Sequence, residues 1–166
     1  LGVKYENFSN PSTQIDNGSS ITGWAGTGDA GTPVLDSVVY KTGSSSIRFP
    51  VTLSGNTATF TFTNFSITDV YYQSKYFFVY VYFPSLPTTV TLKFGVNATN
   101  YLSAAVTTQF SGQPFKSGDW NLLAIDLNTA TATGTISTSS VFAYEEIIIT
   151  TVTTANYYVD SSYLKQ

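Results

Sequence analysis

Histidine, cysteine and methionine do not occur in this sequence. Without histidine there is no imidazole base, no Ser-His-Asp or Cys-His arrangement and no imidazole metal ligand. Without cysteine there is no disulfide framework, no thiolate nucleophile and no cysteine-based zinc site. The compartment stays open, because a chain of 166 residues buries enough core to be secreted without disulfides. Charge is scarce as well: 10% of residues are charged, against about 25% in an average soluble domain. The basic residues Lys4, Lys41, Arg48, Lys75, Lys93, Lys116 and Lys165 are scattered singly under a net charge of −3, which leaves no electrostatic track for nucleic acid. No apolar run approaches the ~20 residues that span a bilayer, so no membrane insertion is expected.

What the sequence has instead is aromatic residues, 16% of the total, in a background of Ser, Thr and Asn. Runs with strand character fall at 3–9, 45–53, 57–63, 76–83, 90–96, 102–109, 120–127, 141–151 and 157–164. They are separated by turn-forming clusters such as KTGSS, LSGN, PSLP, NATN and LNTATATGT. No window has a helical period, and no repeat of fixed length occurs. Alternation names the core faces: Ala58, Phe60 and Phe62 oppose Thr59, Thr61 and Thr63, while Val90, Leu92, Phe94 and Val96 oppose Thr91, Lys93 and Gly95. Short strands with one apolar and one semi-polar face imply an all-β, two-sheet antiparallel sandwich of jelly-roll type, a single domain over 1–166. The segment 10–36 reads as the longest irregular stretch. The opening at Leu1, without a methionine or signal-like segment, reads as an excised or processed piece.

One strand has two aromatic faces. In KYFFVYVYFP, Phe77, Val79, Val81 and Phe83 form an ordinary core face, while Tyr76, Phe78, Tyr80 and Tyr82 form a second face tipped with hydroxyls. Such a face is either a sugar platform or a packing surface. Trp24 reads either as a second stacking platform in a loop or as a plug at one end of the sandwich. Trp120, opening a strand of alternating Leu and Ile, reads as core.

Acid chemistry is limited to carboxylates. Glu145 and Glu146 are adjacent on a strand and point to opposite sides, and most of the aspartates sit in turn contexts, so the facing pair that a glycosidase needs is not apparent. No enzyme is expected. Asp160 interrupts the strand YYVDSSYL, where a carboxylate is costly unless paired, metal-bound or solvated; the bland alternative is an edge charge that blocks aggregation. Sequons begin at Asn7, Asn17, Asn64 and Asn97.

The order of segments is informative beyond its parts. An early YENF strand, a loop with Trp24, then VVYKTGSSSIRF, VYVYFP, NYLSAAVT, FKSGDWNLLAIDL and a closing YYVDSSYL together resemble the β-jelly-roll carbohydrate-binding modules. The likeness is to the galactose-binding-like variants in structural and tail proteins of tailed phages, and it spans nearly the whole chain. The resemblance implies a non-catalytic glycan-binding or adhesion module of a larger extracellular or virion protein. The competing implication is an architectural domain that packs its aromatic face on neighbouring subunits. It also implies one structural calcium ion, with Glu6 or Asn7 and Asp160 as ligands and carbonyls from Thr42–Ser45; the first-strand motif departs from the family in lacking an acid directly after Phe8. Implied ligand contacts are Tyr76, Tyr80, Tyr82 and Trp24, with Lys93 and Gln109, beside Thr91, as same-sheet neighbours of the tyrosines. Tyr71, Tyr72 and Tyr101 are implied as an alternative edge site.

Overall fold

A computed structural model of the chain describes residues 13–68, 70 and 75–166. The expected strand at 3–9, with Glu6 and Asn7, lies outside the described residues, as do Tyr71 and Tyr72. The fold is the expected all-β sandwich of two antiparallel sheets, each of six strands. The first sheet runs β3 (Val34–Asp36), β4 (Ser46–Pro50), β12 (Asn156–Lys165), β6 (Tyr76–Phe83) and β9 (Asp119–Asp126), and β1 (Thr13–Asp16) pairs with the second half of β12. The second runs β10 (Thr131–Thr133), β8 (Asn100–Ala105), β7 (Val90–Asn97), β11 (Tyr144–Thr150), β5 (Thr57–Phe62) and β2 (Trp24–Gly28). Among the described residues, no helix is long and apolar enough to cross a membrane.

The period-two reading holds where strands are regular. Phe77, Val79, Val81 and Phe83 of β6 face Ala58, Phe60 and Phe62 of β5 and Leu92 and Phe94 of β7 within one buried cluster. Rings stack through it, Phe77 on Phe94 at 4.6 Å and Phe49 on Phe60 at 4.2 Å. Burying an aromatic side chain of this kind contributes roughly 1.5–3 kcal/mol each, so the two inner faces are the main source of stability.

The segment 10–36 is less irregular than expected, since β1, β2 and β3 lie within it. They are short and interrupted by Gly, Ala and Asp, residues of weak strand propensity, and their neighbours in the sheets decide their conformation. The same holds for β10, inside a stretch that reads as a turn.

β12 contains a bulge. Asp160 pairs with Tyr80 and Ser162 with Val79, leaving Ser161 as an extra residue with φ of 51°. Tyr157, Val159, Ser162 and Leu164 therefore face inward, and Tyr158, Asp160, Tyr163 and Lys165 outward.

Candidate functional site

The outer face of the first sheet is built by cross-strand pairing, because directly opposed residues in an antiparallel ladder share a face. β6 contributes Tyr76, Phe78, Tyr80 and Tyr82. β12 sets Tyr158 beside Tyr82, Asp160 beside Tyr80 and Tyr163 beside Phe78. β9 sets Trp120 beside Tyr82, Leu122 beside Tyr80 and Ala124 beside Phe78. The rings gather at two ends. Tyr82 meets Trp120 edge-on at 5.8 Å and Tyr158 at 5.4 Å. Phe78 stacks on Tyr163 at 5.0 Å and meets Phe110 edge-on at 4.8 Å, and Phe110 also touches Tyr76 at 5.3 Å. From Tyr76 to Tyr82 the band is about 20 Å long, at ~3.3 Å per residue.

The polar groups around the band are held by its loops. Asp160 is fully buried, and its Oδ2 accepts the amide N–H groups of Lys41 and Thr42 at 2.8 and 2.9 Å. Burial pushes this carboxyl above its ordinary range, against those hydrogen bonds. The anchored loop carries the Lys41 ammonium to 5.5 Å from the Tyr80 ring centre, a cation–π placement. Gly18 packs against the same carboxylate with φ of 72°, and a Cβ there would sit 2.5 Å from Asp160 Oδ1. Asp36 pairs with Arg48 at 3.3 Å and accepts the amides of Val38 and Val39. Burial raises the Asp36 carboxyl, but the Val39 and Val38 amides and Arg48 outweigh it and leave the group below its usual range. Asn121 faces inward; its amide donates to the Lys116 and Asp119 carbonyls and its Oδ1 accepts the Lys116 N–H at 2.8 Å, which fixes the turn before Trp120.

Tyr76, Tyr80 and Tyr82 thus stand together on the outer face with partly exposed rings. Other expected contacts fall elsewhere. Trp24 is 6% exposed, stacked on Phe62 at 4.9 Å and edge-on to Phe49 at 5.8 Å, so it is a core residue with no ring face for a ligand. Trp120 reverses in the other sense: its strand alternates with Asn121, Leu123 and Ile125 inward, which places the indole outside. Lys93 and Thr91 are not on the tyrosine sheet. The Pro-containing link after β6 crosses to the other sheet, and there Lys93 pairs with Glu146 at 3.2 Å and lies over Tyr101 at 4.4 Å. Tyr144 donates its hydroxyl to the same Glu146 carboxylate. Tyr101 therefore belongs to the opposite face. Gln109 sits in the β8–β9 connection and donates its side-chain amide to the Pro114 carbonyl at 2.9 Å, closing the loop that delivers Phe110. Phe110, Tyr158 and Tyr163 were missed; their signal was present only as apolar residues in a loop and in a strand whose bulge breaks the alternation.

For a cation, the described residues supply Asp160, whose Oδ2 is occupied by two N–H donors and whose Oδ1 accepts the Thr42 hydroxyl at 3.3 Å. Among the described residues no group of three or more acidic side chains has metal-binding geometry. Glu6 and Asn7, the other expected ligands, lie outside them.

No family model matches the chain, and no curated protein matches its sequence. Solved structures do match in fold. The family 30 carbohydrate-binding module of a cellulosomal cellulase of Clostridium thermocellum aligns with a TM-score of 0.67 at 15% identity, over 94% of this chain and 98% of that one. The family 11 carbohydrate-binding module of the same organism, in complex with a β-1,3-1,4-mixed-linked tetrasaccharide, aligns with a TM-score of 0.60 at 8% identity, over 93% and 95%. The enzymatically active domain of tailspike protein 4 of bacteriophage CBA120 aligns with a TM-score of 0.54 at 16% identity, over 93% of this chain and 21% of that one. At these identities the likeness is one of architecture: the chain has the β-sandwich jelly-roll fold of carbohydrate-binding modules.

Proposed function

We infer that this chain is a non-catalytic glycan-binding module whose binding surface is the outer face of the first sheet. The observation that carries the reading is the band of partly exposed rings, Tyr76, Tyr80, Tyr82, Trp120 and Tyr163, across adjacent strands. A pyranose offers a flat C–H face that stacks on such rings, while hydroxyl and ammonium tips at the rim meet its hydroxyls. The acids of this face are engaged structurally: Asp36 by Arg48, Asp126 by the Asn128 amide, and Asp160 by the 41–42 loop. That supports binding without hydrolysis. The module is read as part of a longer extracellular or virion protein, in keeping with a tailspike among its structural neighbours.

The test is a broad glycan array with the parent protein and a folded Tyr80→Ala/Tyr82→Ala variant. Binding by the parent that vanishes in the variant is expected. A parent that binds no glycan and self-associates through this face would instead favour the architectural reading, which the exposed Phe110 ring, 49% accessible, supports. One structural calcium ion, held by Asp160 with Glu6 or Asn7, belongs to the same proposal. The melting temperature is expected to fall when a chelator is added; an unchanged value counts against the ion.

A further inference from the structure

At the Tyr76 end of the band the face deepens into a pocket of about 290 Å³ lined by Tyr76, Phe78, Phe110, Leu122, Tyr163 and Lys165, with Gln166 at its rim. Its volume is at the small end of ligand pockets, suited to one ring rather than a chain. The floor is apolar: Phe78, Phe110 and Leu122 offer no hydrogen bond. A sugar ring there can turn only its C–H face to these side chains without burying an unsatisfied hydroxyl, so selectivity among sugars must come from the rim. The rim is different. Lys75 and Lys165 are joined through the Lys75 N–H and the Lys165 carbonyl at 2.9 Å, and the Lys75 ammonium lies 5.2 Å from the Tyr76 ring centre. Neither lysine belongs to the side-chain ion pairs Arg48–Asp36 and Lys93–Glu146. Asp126, opposite Tyr76, is the acid of this end of the face, and its Oδ1 is taken by the Asn128 N–H. In a chain with a net charge of −3, two neighbouring cations beside an apolar floor form a local site for an anion.

We propose that this pocket is a subsite for an acidic sugar of the hexuronate class, with the pyranose ring against Tyr76 and Tyr163 and its carboxylate between Lys75 and Lys165. The inference rests on the glycan-binding reading and adds the class of residue recognised. It places the carboxylate at the rim, where ammonium groups meet it, and the C–H face on the rings, so no polar group is buried against Phe78.

Matched oligosaccharides that differ only in a carboxylate separate the two levels. Cellotetraose and its C6-oxidised uronate, together with arrays of acidic and neutral glycans, are titrated against the parent, a Lys75→Gln/Lys165→Gln variant and a Lys75→Arg/Lys165→Arg variant. The expected result is preference for uronate-containing glycans, a loss of roughly fivefold or more in the glutamine variant, retention in the arginine variant, and weakening with added salt. All variants are checked for unchanged melting, since these side chains lie at the surface. Equal binding of neutral and acidic glycans, or no change in the glutamine variant, overturns the acidic subsite while the glycan-binding reading stands. Failure to bind any glycan overturns both.

Discussion

Replacing Asp16 by Asn is expected to stabilise the protein at neutral pH and to do nothing for it in acid. Asp16 closes β1 and is 8% exposed; its Oδ2 accepts the Gly18 N–H at 2.9 Å. Burial above all, with the charge of Asp160, raises its carboxyl from 3.8 to about 6, against the Gly18 amide and the nearby Trp24 indole. That indole N–H approaches Asp16 without closing a hydrogen bond of ordinary geometry. Because the folded value lies above the unfolded one, folding takes up a proton between the two. The associated stability is complete below about pH 3.8 and is lost as pH rises through about 6. At about 1.4 kcal/mol per pH unit, the distance between the two values amounts to about 3 kcal/mol. Asn cannot ionise and keeps an oxygen for Gly18, so the Asp16→Asn variant lacks this loss. Denaturant melts from pH 3.5 to 8, run in chelator, should show a variant advantage that grows from near zero to about 3 kcal/mol, or about 6–12 °C in Tm for a chain of this size. Glu145 and Asp160, both raised by burial first, add a pH dependence of their own, and the variant also lacks the Asp16 charge that helps to raise Glu145. A difference that is constant with pH, or one that shrinks as pH rises, would refute the reasoning.

Two further substitutions probe the packing that positions the face. Gly18→Ala forces a side chain into positive φ and against Asp160, and is expected to cost at least about 1–2 kcal/mol; Gly43→Ala, with φ of 66° and no atom within 4 Å of the added methyl, carries the backbone strain alone. Comparing their melts isolates the contact with Asp160, and equal losses would remove it from the account. Trp24→Ala should cost about 3–5 kcal/mol by opening a hole between Phe49 and Phe62, with no selective loss of glycan binding in the surviving folded fraction. A stable variant that no longer binds glycan would return Trp24 to the surface.

The core was legible because β5, β6 and the first half of β7 alternate regularly, so Phe60, Phe77 and Leu92 announce their faces by period alone, whereas Val96, expected on the core face, is only partly buried because the register of β7 shifts between Gly95 and Asn97. The tyrosine face was legible for the same reason. Of the two readings of Trp24 the buried one holds and the platform does not, while Trp120, read as core, lies outside, because a strand beginning is read from its flanks. Trp24 sits among Gly and Thr that look like loop yet pair with β5, whereas Trp120 precedes an inward Asn121 whose burial is compensated by three hydrogen bonds. Lys93 was misplaced because a sequence does not say that the chain changes sheets between β6 and β7. In β12, strict alternation would put Val159 and Tyr163 on one face; the extra residue Ser161 separates them, and only the inward Leu164, five positions after Val159, hints at it. Glu145 was rightly expected to point away from Glu146, but not to be wholly buried, with Oε2 accepting the Ser162 hydroxyl and Oε1 unpartnered.

The ends of the sheets restrict how this molecule can join another. β3 and β10 are three residues long, and the β9 side is met by the Phe110 N–H on the Leu122 carbonyl at 2.8 Å. Over β2 the chain returns so closely that a methyl on Gly26 would sit 2.3 Å from the Gly31 oxygen. Among the described residues these short or partly covered edges leave the eight-residue β9 as the longest on which a foreign strand could extend the ladder. A neighbour is therefore met most readily ring to ring and charge to charge, on the broad outer face rather than along the short β3 and β10 edges.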